Sequence, residues 1–89
     1  MDNDAKPKLS SNVILRHDAG RDRWVLLAPE RVLTPDPVAV DVLKLCDGTR
    51  TLGDIAAELA REYSAPMERV RADVAALLAS LTEKGVIVT

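Results

Sequence analysis

His17 and Asp18 form the only adjacent His–carboxylate pair in this chain of 89 residues. A histidine becomes a proton relay when a carboxylate orients it and a nucleophile stands on its other side. Neighbours on an extended segment point to opposite faces, and no third group is spaced to complete the set. A solvated turn position is the expected role. Cys46, the single cysteine, follows Leu45 on an apolar helical face, where a thiol fills space and nothing nearby lowers its pKa. One Cys and one His make neither a metal-ligand set nor an internal disulfide, which suits a reducing compartment. A Ser carrying a prosthetic arm would open a helix after an Asp. Ser80 instead follows Ala79 inside a helix, and Ser10 and Ser11 lie near the N-terminus. Glu58, Glu62, Glu68 and Asp73 are interleaved with Arg61, Arg69 and Arg71, the pattern of solvated helix faces. Gly20, Gly48, Gly53 and Gly85 fall at turns and helix ends and never cluster as a phosphate cradle. The residues therefore predict no catalytic site, no metal site and no cofactor. They read as a binding protein.

Composition narrows what is bound. Aromatic residues are 2%, with one Trp, one Tyr and no Phe, too few for base-stacking platforms. Twelve Lys and Arg against 14 Asp and Glu give net −2, without the basic excess of a phosphate-neutralising domain. No nucleic acid is expected as partner. The longest apolar run, Trp24–Ala28, is far short of the ~20 residues that span a bilayer. The polar start, Met1-Asp2-Asn3-Asp4, is not a signal peptide. No membrane partner is expected, and the cytoplasm is the expected location.

The elements that position any site can be read from punctuation. Residues 1–11 read as a flexible arm, and 12–89 as a single domain. Val13–Leu15, Trp24–Ala28 and Arg31–Thr34 are short β-prone runs, separated by Asp18–Asp22 and by Pro29-Glu30 and closed by Pro35. They predict an antiparallel meander that needs a partner layer to be stable. Three helices supply it. Asp36 caps the first, with Pro37 at its opening position and Asp47-Gly48 at its end. Thr51 caps the second, and Asp54 sits in its first turn. The third runs from Pro66 to Lys84 and stops at Gly85. Their apolar stripes are Val38, Val42, Leu45 and Cys46; then Leu52, Ile55, Ala56, Leu59 and Tyr63; then Val70, Val74, Leu77, Leu78 and Leu81. Val86–Val88 is a final extended stub that covers the core or pairs with a strand edge. The expected class is α+β: winged-helix-like, a three-stranded antiparallel sheet followed by a three-helix bundle.

That architecture admits a winged-helix DNA-binding transcriptional regulator as an alternative. The third helix opens with Glu68, Arg69, Arg71 and Asp73, a mixed set with no Asn or Gln to read adenine. The meander offers something else. Arg31–Thr34 is an edge strand followed at once by the first helix, so unpaired backbone groups face apolar side chains, a geometry that captures an extended peptide. Equally, Pro29 and Pro35 could flank the strand to keep it short and unpaired. Spacing alone does not separate the two.

The residues themselves carry a resemblance. Trp24-Val25-Leu26-Leu27-Ala28-Pro29-Glu30, Val32-Leu33 and Leu43-Lys44-Leu45-Cys46-Asp47-Gly48 resemble the pyrroloquinoline quinone (PQQ) biosynthesis protein D family. Thr51-Leu52, Ile55-Ala56, Asp73-Val74, Leu77-Leu78 and Leu81 ahead of Gly85 continue the match, from Leu9 to Thr89. Two positions depart from the family's habit: Arg31 replaces a common Gly, and Ala76 a larger, often aromatic residue.

The resemblance implies a non-catalytic peptide chaperone. Such proteins bind a ribosomally made precursor peptide and present it to a radical S-adenosylmethionine enzyme, which cross-links a Glu and a Tyr of that peptide. The leader adds a strand at the third strand and packs on the third helix. Carried onto this chain, the peptide-binding residues are Arg31, Val32, Leu33 and Thr34 on the edge, with Arg69, Val70, Asp73, Val74 and Leu77 on the helix. Val70, Val74 and Leu77 are equally explained as core. A monomer is expected, with edge-to-edge dimerisation as the other outcome of an open strand.

Overall fold

A computed structural model describes residues 1–89 as β1 (Lys8–Leu9), β2 (Ile14–Asp18), β3 (Arg23–Ala28), β4 (Arg31–Leu33), α1 (Pro37–Leu45), α2 (Leu52–Tyr63), α3 (Met67–Glu83) and β5 (Ile87–Val88). The central strands form the expected antiparallel meander in the order β2-β3-β4. Asp18 closes the first hairpin: its carboxylate accepts from the Gly20 N–H at 3.1 Å and its carbonyl from the Arg21 N–H at 3.3 Å. Pro29 and Glu30 close the second, with Glu30 in the left-handed region at φ 63°.

Helix punctuation falls where side-chain chemistry requires. The Asp36 carboxylate accepts from the Ala39 N–H at 2.8 Å, and Pro37 opens α1. Thr51 and Asp54 form a reciprocal capping box at α2. Gly85, at φ 76°, follows α3.

The core is aliphatic. Leu26 of the sheet, Val42 and Leu43 of α1, Leu52, Ile55 and Leu59 of α2, and Val74, Leu78 and Leu81 of α3 meet in one buried cluster. Cys46 belongs to it, its thiol donating to the Val42 carbonyl at 3.2 Å. Burial, with a smaller contribution from Asp47, pushes this thiol up to about 12, so it is neutral and inert.

Two features differ from the sequence reading. First, the segment expected as a flexible arm is hydrogen-bonded to the body. The Leu52 and Gly53 N–H groups donate to the carbonyls of Ala5 and Asn3 at 2.8 and 3.0 Å, and Gly48 donates to Pro7 at 3.1 Å. Pro7 itself is buried. A helix start leaves N–H groups without intrahelical acceptors, and the segment's carbonyls supply two for α2. The C-terminal stub then pairs with this segment, Lys8 with Val88 and Leu9 with Ile87, rather than with the meander.

Second, two stripe positions lie outside the core. Val38 is 55% exposed and Tyr63 45% exposed. Ala39 and Val40 are buried on α1 in place of Val38, and the Tyr63 hydroxyl donates to the Asp41 carboxylate instead of entering the interior.

Candidate functional site

β4 is an edge: it pairs with β3 on one side only, Leu26 with Leu33, Leu27 with Val32 and Ala28 with Arg31. Ala28 and Arg31 flank a two-residue turn, where the closing pair is the hydrogen-bonded one. Alternation along the ladder then turns the N–H and C=O of Val32 to the open side, and those of Leu33 toward β3. Side chains alternate as well. Leu33 faces inward beside buried Leu26, whereas Val32, 63% exposed, stands on the outer face of the sheet with Leu27 and Ile14.

Beside this edge lies a cleft. α2 packs on both α1 and α3, but α1 and α3 make little contact with each other. The gap holds two hollows. The one next to β4, about 400 Å³, is lined by Leu33, Thr34 and Pro35, by Ala39 and Leu43 of α1, and by Leu77 and Leu81 of α3. The second, about 210 Å³, lies toward the α2–α3 turn between Val38 and Val42, Leu59 and Tyr63, and Val70, Asp73 and Val74. Leu77 lines both.

The nine residues singled out in the sequence are thus distributed in three places. Leu33, Thr34 and Leu77 meet in the first hollow, and Val70, Asp73, Val74 and Leu77 in the second. Arg31, Val32 and Arg69 line neither; all three are exposed. Val32 has a place on the edge through its backbone. Ala76, which replaces a larger residue common in the family, is exposed and lines neither hollow. Val38, Tyr63, Ala65, Ala39 and Leu43 were not singled out as site residues. Val38 and Tyr63 carry helical periodicity, but periodicity marks a face without saying whether another layer covers it.

Outside the cleft, the charged pairs sit at the surface. His17 Nε2 lies 3.4 Å from Asp22 Oδ1, with its ring 5.2 Å from that of Trp24, on an exposed strand. Lys44 caps the other side of this corner, its ammonium 4.4 Å from the Trp24 ring. No group of His, Cys, Asp and Glu is arranged to hold a metal, and no helix is long and apolar enough to cross a membrane. α3 and its C-cap expose Glu68, Asp73 and Glu83 among Arg69, Arg71 and Lys84, a mixed surface without the basic excess that draws a phosphate backbone. An open strand edge above an apolar cleft is what the fold builds.

Known proteins resemble this chain in sequence and fold. The family model described as Coenzyme PQQ synthesis protein D (PqqD) matches residues 23–87. A PqqA binding protein of Bradyrhizobium diazoefficiens is 48% identical over 81 residues, covering 91% of this chain and 79% of that one. The solution structure of the PqqD truncation of Methylobacterium extorquens PqqCD has a TM-score of 0.79 at 43% identity, over 93% of this chain and 88% of that one. It represents a functional, stand-alone recognition element for ribosomally synthesized and post-translationally modified peptides. Lasso peptide synthetase B1, solved in complex with its leader peptide, has a TM-score of 0.76 at 26% identity, over 96% of this chain and all of that one.

Proposed function

The chain belongs to the PqqD family of coenzyme PQQ synthesis proteins, and from that premise we propose that it is a non-catalytic carrier of the PqqA precursor peptide. The peptide adds a strand to β4 and is presented to the radical S-adenosylmethionine enzyme that cross-links its Glu and Tyr. The observation that carries this reading is the open edge of β4 above the α1–α3 cleft. Backbone pairing at Val32 supplies affinity with little dependence on sequence, and alternate peptide side chains drop toward Leu33, Leu77 and Leu81 to supply specificity. Relatives named for PqqA binding, and a similar fold solved with a leader peptide, support it.

The carrier works in the cytoplasm as a monomer, with residues 12–89 as the recognising domain and the preceding segment laid across it. Arg69 and Arg31 stand outside the cleft and act on the approach of an acidic peptide rather than on its final affinity.

The test is Val32→Pro. Proline removes the one N–H that faces the open side while leaving the β3 ladder intact. Titration of isotope-labelled protein with a PqqA peptide should show shifts at Arg31–Thr34 and along the α3 face of the cleft, and the variant should lose binding. Unaltered affinity in a folded Val32→Pro protein would exclude strand addition at this edge.

A further inference from the structure

We propose that the corner where Trp24 meets the last turn of α1 is a seat for one carboxylate of the bound peptide, reached from the end of the β4 edge. The inference rests on the peptide-carrier reading and adds a charged contact to it, outside the cleft and away from α3. Position, charge and preorganisation point to it.

Position follows from strand geometry. A hollow of about 290 Å³, with room for an acidic side chain, lies against Arg23, Trp24, Pro35 and Lys44. Pro35 also borders the hollow beneath β4, so the corner comes next along the chain after the edge strand. Side chains of paired strands point to the same face where they stand opposite each other, and alternate along each strand. A peptide residue opposite Leu33 therefore faces inward. In an extended peptide the next inward position, two residues on, lies opposite Pro35 and beside this hollow.

Charge follows from which groups are already engaged. Asp18, opposite Arg23 in the ladder, accepts from the Gly20 N–H. Asp22 lies 3.4 Å from His17 Nε2, and Asp41 accepts from the Tyr63 hydroxyl. Arg23 and Lys44 are exposed and form no salt bridge, so the charge still without a partner at the corner is positive. Lys44 is also preorganised. Its ammonium is held 4.4 Å from the centre of the Trp24 ring, which orients the side chain without neutralising it. A cation placed before binding loses less freedom when a carboxylate docks. The occupant is an Asp or Glu of the peptide, two residues from the one that faces Leu33, toward Pro35.

Arg23→Gln and Lys44→Gln remove the charges one at a time at exposed positions, so both variants should fold. Arg71→Gln, on α3 outside the hollow, measures the general pull of charge. Each is titrated with a PqqA peptide and with a set in which every Asp and Glu is changed singly to Asn or Gln. The two corner variants should weaken the unmodified peptide by about threefold to tenfold. They should have no further effect on the one peptide whose amide replaces the docked acid, and that peptide should no longer shift the indole N–H signal of Trp24, the single Trp. Arg71→Gln should change all the peptides equally and little. Wild-type affinity in both corner variants would overturn the seat, as would a weakening that is the same for every peptide of the set. Neither result touches strand addition, which fails separately if Val32→Pro still binds.

Discussion

The Leu52 N–H donates to the Ala5 carbonyl at 2.8 Å, tying the first turn of α2 to a segment that precedes the sheet. With Gly53 bonded to Asn3 and Thr51 and Asp54 in a capping box, the open N–H groups of the α2 start are satisfied by two independent devices. α2 is the helix on which both α1 and α3 pack, so its start also anchors the walls of the cleft.

Removing residues 1–7 deletes the acceptors at Asn3, Ala5 and Pro7 and uncovers the core beneath Pro7. Water replaces part of the lost bonding, and the net loss should be about 2 kcal/mol. For a domain of this size that lowers Tm by roughly 10 °C. Calorimetry of the shortened chain checks it; an unchanged Tm would mean that the segment contributes no stability.

Leu77 and Leu78 are neighbours with different duties. Leu78 is fully buried, while Leu77 is half-buried and lines both hollows. Leu78→Ala should cost about 2–5 kcal/mol by opening a cavity. Leu77→Ala should cost much less stability and weaken a PqqA peptide by about tenfold. Denaturant titration and peptide titration of the pair separate core from site, and equal effects on both measurements would remove Leu77 from the site.

Asp47 makes stability depend on pH in the acid range. Its carboxylate accepts from the Thr49 N–H at 2.9 Å, the Thr49 hydroxyl at 2.7 Å and the Arg50 N–H at 3.1 Å. The Thr49 N–H is the largest influence holding its pKa at about 2, against an ordinary 3.8, and the Arg50 guanidinium adds less. Because the folded value is depressed, the contribution is fully present above the ordinary value and is lost as pH falls from about 4 to about 2. Asp54, lowered chiefly by the Thr51 N–H, acts in the same direction. Asp47→Asn should flatten the stability profile between pH about 4 and about 2, measured by denaturant midpoint at each pH. A profile as steep as that of the wild type would assign the acid sensitivity elsewhere.

Much of this was legible locally. Asp36-Pro37, Thr51 with Asp54, and Gly85 act within one helical turn, so their roles follow from residue type and offset. The Pro29-Glu30 turn and the edge after it are equally local, and Leu33, Thr34 and Leu77 do meet in one hollow. The resemblance implied a peptide-binding role for Val70, Asp73 and Val74; the structure shows only that they line the second hollow.

What sequence could not supply is partnership at a distance. β1 and β5 are two residues each, too short to show a period, and their pairing joins opposite ends of the chain. Val38 and Tyr63 have the spacing of core residues, but burial requires a neighbouring layer, and α1 and α3 leave a gap where that layer would be.

Composition, caps and turn residues thus determined an aliphatic α+β domain with an open edge strand, because these depend on chemistry within a few residues. The tertiary packing alone decided that α1 and α3 part to leave a cleft under that edge, that the N-terminal segment closes the start of α2, and which apolar residues remain free to meet a partner. Those outcomes depend on how separate helices share a limited core, and no single segment carries that information.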